Sequence, residues 1–312
     1  LLNGSVNPNG MSTTVWFDYG TASGSYGSAT TPQSISGTTT TGVSANISAL
    51  LAGTTYYNRI VARNTVDTSY GSETSFMTLL PMVTLGLTGS PMVETDGAVT
   101  VTANLSAASS QPVTVNLSYS GSATYGSDYT ASGTSTTIAA GSISGSVTLA
   151  TIGDAIKETD ETIVVDISSV TNGTESGTQQ VTATIIDDDV AGFIVGAISD
   201  NTTESEGPAN FTVRLRTPPE AEVTIPVSSS NTAEGTVTAT ILTFNSTEDQ
   251  TVTVTGVDDA IDDGNVAYTI ILGAASSSNT FYNGLDPEDV AVTNMDDDTA
   301  GITVSAISGN TT

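Results

Sequence analysis

Carboxylates are the side chains of this sequence whose number and spacing could do chemistry. Only Asp18, Asp67 and Glu73 lie in residues 1–79, which leaves 30 of the 33 Asp and Glu for residues 80–312. They recur in two groups. The first holds Glu94, Asp128, Asp154, Glu158 and the triplet Asp187-Asp188-Asp189; the second holds Glu204, Glu206, Asp258-Asp259, Asp262-Asp263 and the triplet Asp296-Asp297-Asp298. By pattern these acids fall where strands end or turn. Adjacent ionised carboxylates repel one another, and a divalent cation converts that repulsion into a cross-link. Calcium suits such a set, because it takes six to eight hard oxygens in a flexible cage. The candidate metal ligands are therefore Glu94, Asp128, Asp154, Glu158, Asp187, Asp188 and Asp189, then Glu204, Asp259, Asp263, Asp296, Asp297 and Asp298. Acidity for solubility or for a salty habitat is the competing reading. It gives no reason for the acids to recur at the same places and to avoid residues 1–79.

Other chemistry is excluded or unsupported. The chain has no Cys and no His, so disulfides, thiolate zinc sites and Ser-His-Asp triads are out of reach. Paired carboxylates also serve glycoside hydrolysis. Such a site needs sugar-stacking aromatics, however, and the one Trp, Trp16, is expected in a core. No enzymatic activity is expected. A net charge of −28 repels nucleic acid and anionic membrane surfaces. No apolar run reaches the roughly 18 residues of a membrane span. The opening Leu1-Leu2-Asn3-Gly4-Ser5 does not read as a signal peptide, so any export or anchoring signal is expected outside these residues.

The elements that must position the acids are strands. Thr, Ser, Val and Gly dominate while helix formers are scarce, which favours half-buried pleated surface. Internal repetition then sets the organisation. At a shift of 110, Val83-Thr84-Leu85-Gly86 faces Phe193-Ile194-Val195-Gly196, and Glu94-Thr95-Asp96-Gly97 faces Glu204-Ser205-Glu206-Gly207. Near the repeat ends the shift becomes 109, and both copies close on an Asp triplet. Residues 300–312 then repeat the opening of the second copy, from Ala191-Gly192-Phe193 onward, so 299–312 is expected to be the first strand of a next repeat or a donor strand. Arg214 and Arg216 alternate with Val213 and Leu215 and are expected on the solvent face.

Residues 1–79 differ. Val15 to Gly20, the alternating run Tyr56 to Asn64, and Ser75 to Thr78 read as strands. With Asn7-Pro8-Asn9-Gly10 and Leu51-Ala52-Gly53-Thr54-Thr55-Tyr56, this stretch resembles a bacterial fibronectin type III domain lacking its first strand. The resemblance makes Tyr56 a corner tyrosine whose hydroxyl bonds nearby backbone. Residues 80–189 resemble a Calx-β domain, a two-sheet calcium-binding module. Val93-Glu94-Thr95-Asp96-Gly97, Gly126-Ser127-Asp128-Tyr129, Asp154 to Thr162 and Asp187 to Asp189 carry that resemblance. Residues 190–298 resemble a divergent copy. There the 110-residue shift places Thr238 opposite Asp128, with Glu234 nearby as an alternative acid.

The expectation is an all-β chain of tandem β-sandwich domains, immunoglobulin-like or Greek-key. The boundaries are 1–79, 80–189 and 190–298, followed by the segment 299–312. The expected cofactor is Ca2+ and the expected location is extracellular or on a cell surface. Expected partners are neighbouring domains or protomers of the same protein, with a protein or glycan ligand as a further possibility. The functional readings are a stalk or adhesin spacer stiffened by calcium, a filament subunit assembled by strand addition, or a calcium-dependent ligand-binding module.

Overall fold

The computed structural model describes residues 1–205, 207–306 and 308–309. The sequence positions Glu206, 307 and 310–312 lie outside the described residues. Two compact units emerge: Leu1–Gly153 with Asp160–Ile186, and Asp154–Thr159 with Asp187–Thr312. All regular elements among the described residues are strands. No helix there is long and apolar enough to cross a membrane.

In the first unit, residues 1–79 form a small pair of sheets. Leu2–Val6 pairs antiparallel with Thr41–Ala45. Opposite them, a six-stranded sheet is built on Thr13–Gly20 and Thr55–Arg63. Val15 and Phe17 join Leu2 and Val43 in the core. Trp16, expected in that core, is only half-buried, and its indole nitrogen donates to Asp18 Oδ1 at 2.8 Å. The two-residue period of a strand explains this: once Val15 and Phe17 take the inner face, the residue between them must take the outer one. The Tyr56 hydroxyl accepts the Leu51 N–H at 3.0 Å.

The rest of the unit is a sandwich of two five-stranded sheets. One runs Met92–Val93, Gln180–Ile186, Glu161–Thr171, Val113–Gly121, Ser135–Ile138; the other runs Tyr129–Ala131, Ser144–Thr151, Ala98–Leu105, Met82–Thr88, Thr174–Glu175. Successive strands alternate between the sheets, so hydrogen-bonded neighbours are seldom consecutive in sequence. Val99, Val101, Ala103 and Leu105 point inward along one strand while Thr and Asn occupy the alternate positions. Val115, Ile163, Val165 and Leu149 meet them in one continuous core. Each such fully buried aliphatic side chain contributes about 1.5–3 kcal/mol relative to exposure.

The second unit repeats this plan. Thr202–Thr203, Val290–Met295, Val266–Leu272, Val223–Ser229 and Ile241–Phe244 form one sheet, and Phe193–Val195, Pro208–Leu215, Gln250–Gly256 and Gly235–Val237 form the other. Its core centres on Phe211, Val213, Ile225, Phe244, Val254 and Ile270. Arg214 and Arg216 are exposed beside buried Val213 and Leu215. The described part of 299–312 forms no strand, and Ile302 and Val304 are 94% and 86% exposed.

Candidate metal centres

The site of the second repeat is built where two neighbouring strands end together. Thr202–Thr203 runs parallel to the end of Val290–Met295, with Thr203 opposite Met295. The ladder continues one step further, as the Glu204 N–H donates to the Met295 carbonyl at 3.0 Å. Gly256 permits this approach, because a Cβ there would overlap the Thr203 carbonyl. Glu204 is thereby held next to the chain entering the Asp triplet and is 2% exposed.

Asp296 is oriented by its own backbone surroundings. Its Oδ1 accepts the Asp298 N–H at 2.8 Å and its Oδ2 accepts the Gly264 N–H at 2.6 Å. Those two donors hold its carboxyl below the usual range. The turn carries Asp298 back inward, and carboxylate oxygens of Glu204, Asp296 and Asp298 come within 4.8 Å of one another. Glu204 Oε2 and Asp298 Oδ2 are buried and accept no hydrogen bond. Burial, followed by the Asp296 charge, pushes the Glu204 carboxyl up to about 7, against a backbone N–H of Asp297 that lowers it. Asp259 and Asp263 add to the rise. Burial and then Asp296 and Asp297 also raise Asp298. Among the described residues, no ion pair reaches Glu204, Asp296 or Asp298, so no cationic side chain answers this cluster.

Of the acids expected here, the structure thus brings together Glu204, Asp296 and Asp298. Asp297 is exposed between its two neighbours, as a middle residue must be when both flanking side chains turn inward. Asp259 and Asp263 are also exposed. Asp259 Oδ1 caps the following turn by accepting the Ile261 N–H at 2.7 Å.

The first repeat reproduces these devices in register. The Glu94 N–H donates to the Ile186 carbonyl at 3.0 Å, and Glu94 is buried. Asp187 Oδ1 accepts the Asp189 N–H at 2.7 Å, its Oδ2 accepts the Glu158 N–H, and Lys157 pairs with it at 3.0 Å. Asp154 accepts the Ile156 N–H at 2.6 Å, the counterpart of the Asp259 turn. Carboxylate oxygens of Asp154 and Asp189 lie within 4.8 Å of each other, and Asp189 Oδ2 is buried without a partner. Burial, then Asp187 and Asp188, raises the Asp189 carboxyl. Asp188, like Asp297, faces solvent.

A second acidic pairing in the first repeat lacks an equivalent among the described residues of the second. Carboxylate oxygens of Asp128 and Glu161 approach within 4.8 Å. Sequence reasoning missed Glu161 as a ligand; its signal was its place as the first residue of a strand bordered by acids. In the second repeat Val266 opens the corresponding strand. The position of Asp128 is taken by Glu234 rather than Thr238. The Asp128 carbonyl accepts Ile152 N–H at 2.8 Å, and the Glu234 carbonyl accepts Val257 N–H at 3.0 Å. The Glu234 side chain nevertheless does not substitute for Asp128. It is buried, and its Oε2 accepts Asn294 Nδ2 at 3.4 Å, while Asn294 Oδ1 accepts Thr202 Oγ1 at 3.0 Å. An internal amide thus occupies this carboxylate.

Comparison with protein-family models matches the Calx-beta domain twice, at residues 82–189 and at residues 199–298. The chain belongs to the Calx-β family. Solved structures similar to it include CBD12 from CALX1.2, at 16% identity over 66% of this chain and 96% of that one, with a TM-score of 0.31. The calcium binding domain CBD12 of CALX1.1 follows at 14% identity, the same two coverages and a TM-score of 0.34. The apo-form Calx CBD1 domain is 20% identical over 35% of this chain and 99% of that one, with a TM-score of 0.32. No curated protein matches the chain.

The residues of this Calx-β pair fit a hard divalent cation. The donors are all oxygen, they converge, and buried carboxylate oxygens lack hydrogen-bond partners. Burying such charge without compensation is costly. A pH dependence follows. Glu204 holds its proton to about pH 7 in the fold but only to about 4.5 when unfolded. The cation-free fold therefore binds more protons in that window, and its stability falls as pH rises through it. In chelator, the melting temperature of the second repeat is expected to increase on acidification from pH 7 toward pH 5. Scanning calorimetry at both pH values checks this; a decrease would contradict the assignment of Glu204.

Proposed function

We propose that this chain is an extracellular structural segment, a spacer of a stalk or adhesin, whose domains and seams are stiffened by bound calcium. The observation that carries the reading is the pair of buried, unpartnered oxygens on Glu204 and Asp298, placed where the last strand of a repeat leaves its sheet. Glu204, Asp296 and Asp298 would hold one ion. In the first repeat Asp154 and Asp189 converge likewise, and Glu94 holds the sequence position equivalent to Glu204. An ion bound there joins the opening of a repeat to the residues leading out of it, which is where stiffness would matter in a tandem array. The part played by the chain is mechanical and not catalytic.

Small-angle scattering of the full chain in calcium and then in excess chelator tests the reading. A rigid profile in calcium that softens after chelation is expected. An identical profile in both solutions would remove calcium from the mechanics. The filament reading is favoured by one feature, the exposed Ile302 and Val304 in a segment whose described residues form no strand. Growth of the scattering mass with protein concentration would support it over the spacer.

A further inference from the structure

The two repeats treat one strand edge differently. In the first, the Ser106 N–H donates to the Met82 carbonyl, so even-numbered residues of Met82–Thr88 face their antiparallel neighbour. Odd-numbered residues face outward, and a later stretch of the same repeat covers them. Thr174 N–H donates to Pro81 O, Ser176 N–H donates to Val83 O, and Leu85 N–H donates to Gln179 Oε1 at 3.2 Å.

The equivalent outward residues of the second repeat are Ala191, Phe193 and Val195. Their inward neighbours are fixed as before, since Gly192 O accepts Arg216 N–H and Gly196 N–H donates to Thr212 O. Among the described residues, no strand lies on the outer side of Phe193–Val195. The segment that would cover it turns away. Ser276–Ser277 pairs with Val223–Thr224 instead, and the following turn is pinned by fully buried Tyr282, whose hydroxyl donates to the Thr217 carbonyl at 2.6 Å. What remains is a hollow of about 250 Å³ lined by Ala191, Phe193 and Val195 on one side and by Leu285, Asp286, Pro287 and Glu288 on the other.

We infer that this edge is a docking groove for an extended, basic peptide segment of another protein, which adds a strand alongside Phe193–Val195. The covering stretch of the first repeat is the template: the same backbone groups there are met by an extended segment. Strand addition uses such an edge through main-chain hydrogen bonds. The charge of the partner follows from the walls. Asp286 and Glu288 are exposed at the groove, whereas the Asp289 carboxylate is occupied by the Leu272 N–H at 2.9 Å. A second copy of this chain, with 5 Lys and Arg against 33 acids, is a poor electrostatic match.

The probe is an eight-residue synthetic peptide alternating Thr and Val with Lys at both ends, compared with the same peptide ended by Glu. Amide hydrogen exchange of the full chain is the readout. The Lys-ended peptide is expected to bind saturably and to slow exchange at Phe193 and Val195 at least tenfold. Val195→Pro removes an outward N–H and leaves the inward ladder intact, a position where an edge strand tolerates Pro. It should weaken binding at least tenfold while exchange across Gln250–Gly256 stays slow. Asp286→Lys with Glu288→Lys, a surface change, provides a second variant and should weaken binding similarly. No slowing at Phe193 and Val195 at millimolar peptide would overturn the inference. So would undiminished binding by either variant, or equal binding of the Glu-ended peptide. None of these changes touches Glu204, Asp296 or Asp298, so the outcome is separate from that of the calcium reading.

Discussion

Calcium added to the chelated chain at neutral pH is expected to raise the melting temperature of the second repeat, and Glu204→Gln is expected to raise it in chelator while blunting the gain from calcium. In the native chain the carboxylates of Glu204, Asp296 and Asp298 face one another with buried oxygens unmet. A ligand that binds only the folded state, at a hundred times its dissociation constant, adds about 2.7 kcal/mol. For a domain of this size each kcal/mol moves the transition by roughly 4–8 °C. Gln at position 204 carries no charge to bury, so the variant should be more stable than the native chain in chelator. It should also gain far less from calcium, having lost a central ligand. A merely structural Glu would give the opposite order in chelator. Hydrogen exchange in the Gln250–Gly256 strand assigns the transition to this repeat.

The second large effect is an asymmetry between the repeats. Asp128 and Glu161 converge in the first, whereas their counterparts in the second are Glu234, hydrogen-bonded by the Asn294 amide, and the apolar Val266. The first repeat is therefore expected to bind more calcium than the second. Asp128→Asn should lower calcium affinity in the first repeat by at least tenfold, because it removes a charged oxygen donor. Glu234→Gln should leave calcium affinity unchanged within twofold, because its carboxylate is already engaged by Asn294. Calcium-titrated spectra resolved by residue would check both. A comparable loss from Glu234→Gln would mean that its side chain turns outward to bind.

Much of this was legible in the sequence, and the misses have definite causes. Inward Val and Ile alternating with outward Thr made strands readable; a 110-residue shift aligned Glu94 with Glu204, and a 109-residue shift aligned one Asp triplet with the other. Trp16 was misplaced because Val15, Trp16 and Phe17 are all apolar, so hydrophobicity alone cannot choose the inner face. Within each triplet, sequence could not distinguish Asp188 and Asp297 from their neighbours. Their exposure follows from Asx-type turns in which Asp187 and Asp296 accept the N–H two residues on. Glu161 was overlooked because a first strand residue reads as ladder, although its side chain stands at the sheet end. The match of Asp128 to Thr238 failed because the loops between strands differ in length, which a constant shift ignores. The open edge at Phe193–Val195 was invisible for a related reason: it depends on where the Ser276–Glu288 segment folds.

Calorimetric titration of the purified, chelator-stripped chain with calcium, run beside a Glu94→Gln, Glu204→Gln double variant, decides whether these carboxylates hold an ion. The account predicts saturable binding of at least two ions by the native chain, and a marked loss of affinity in the variant. Equal binding curves for the two proteins, or no saturable binding by the native chain, would contradict it and return the carboxylates to the role of surface charge.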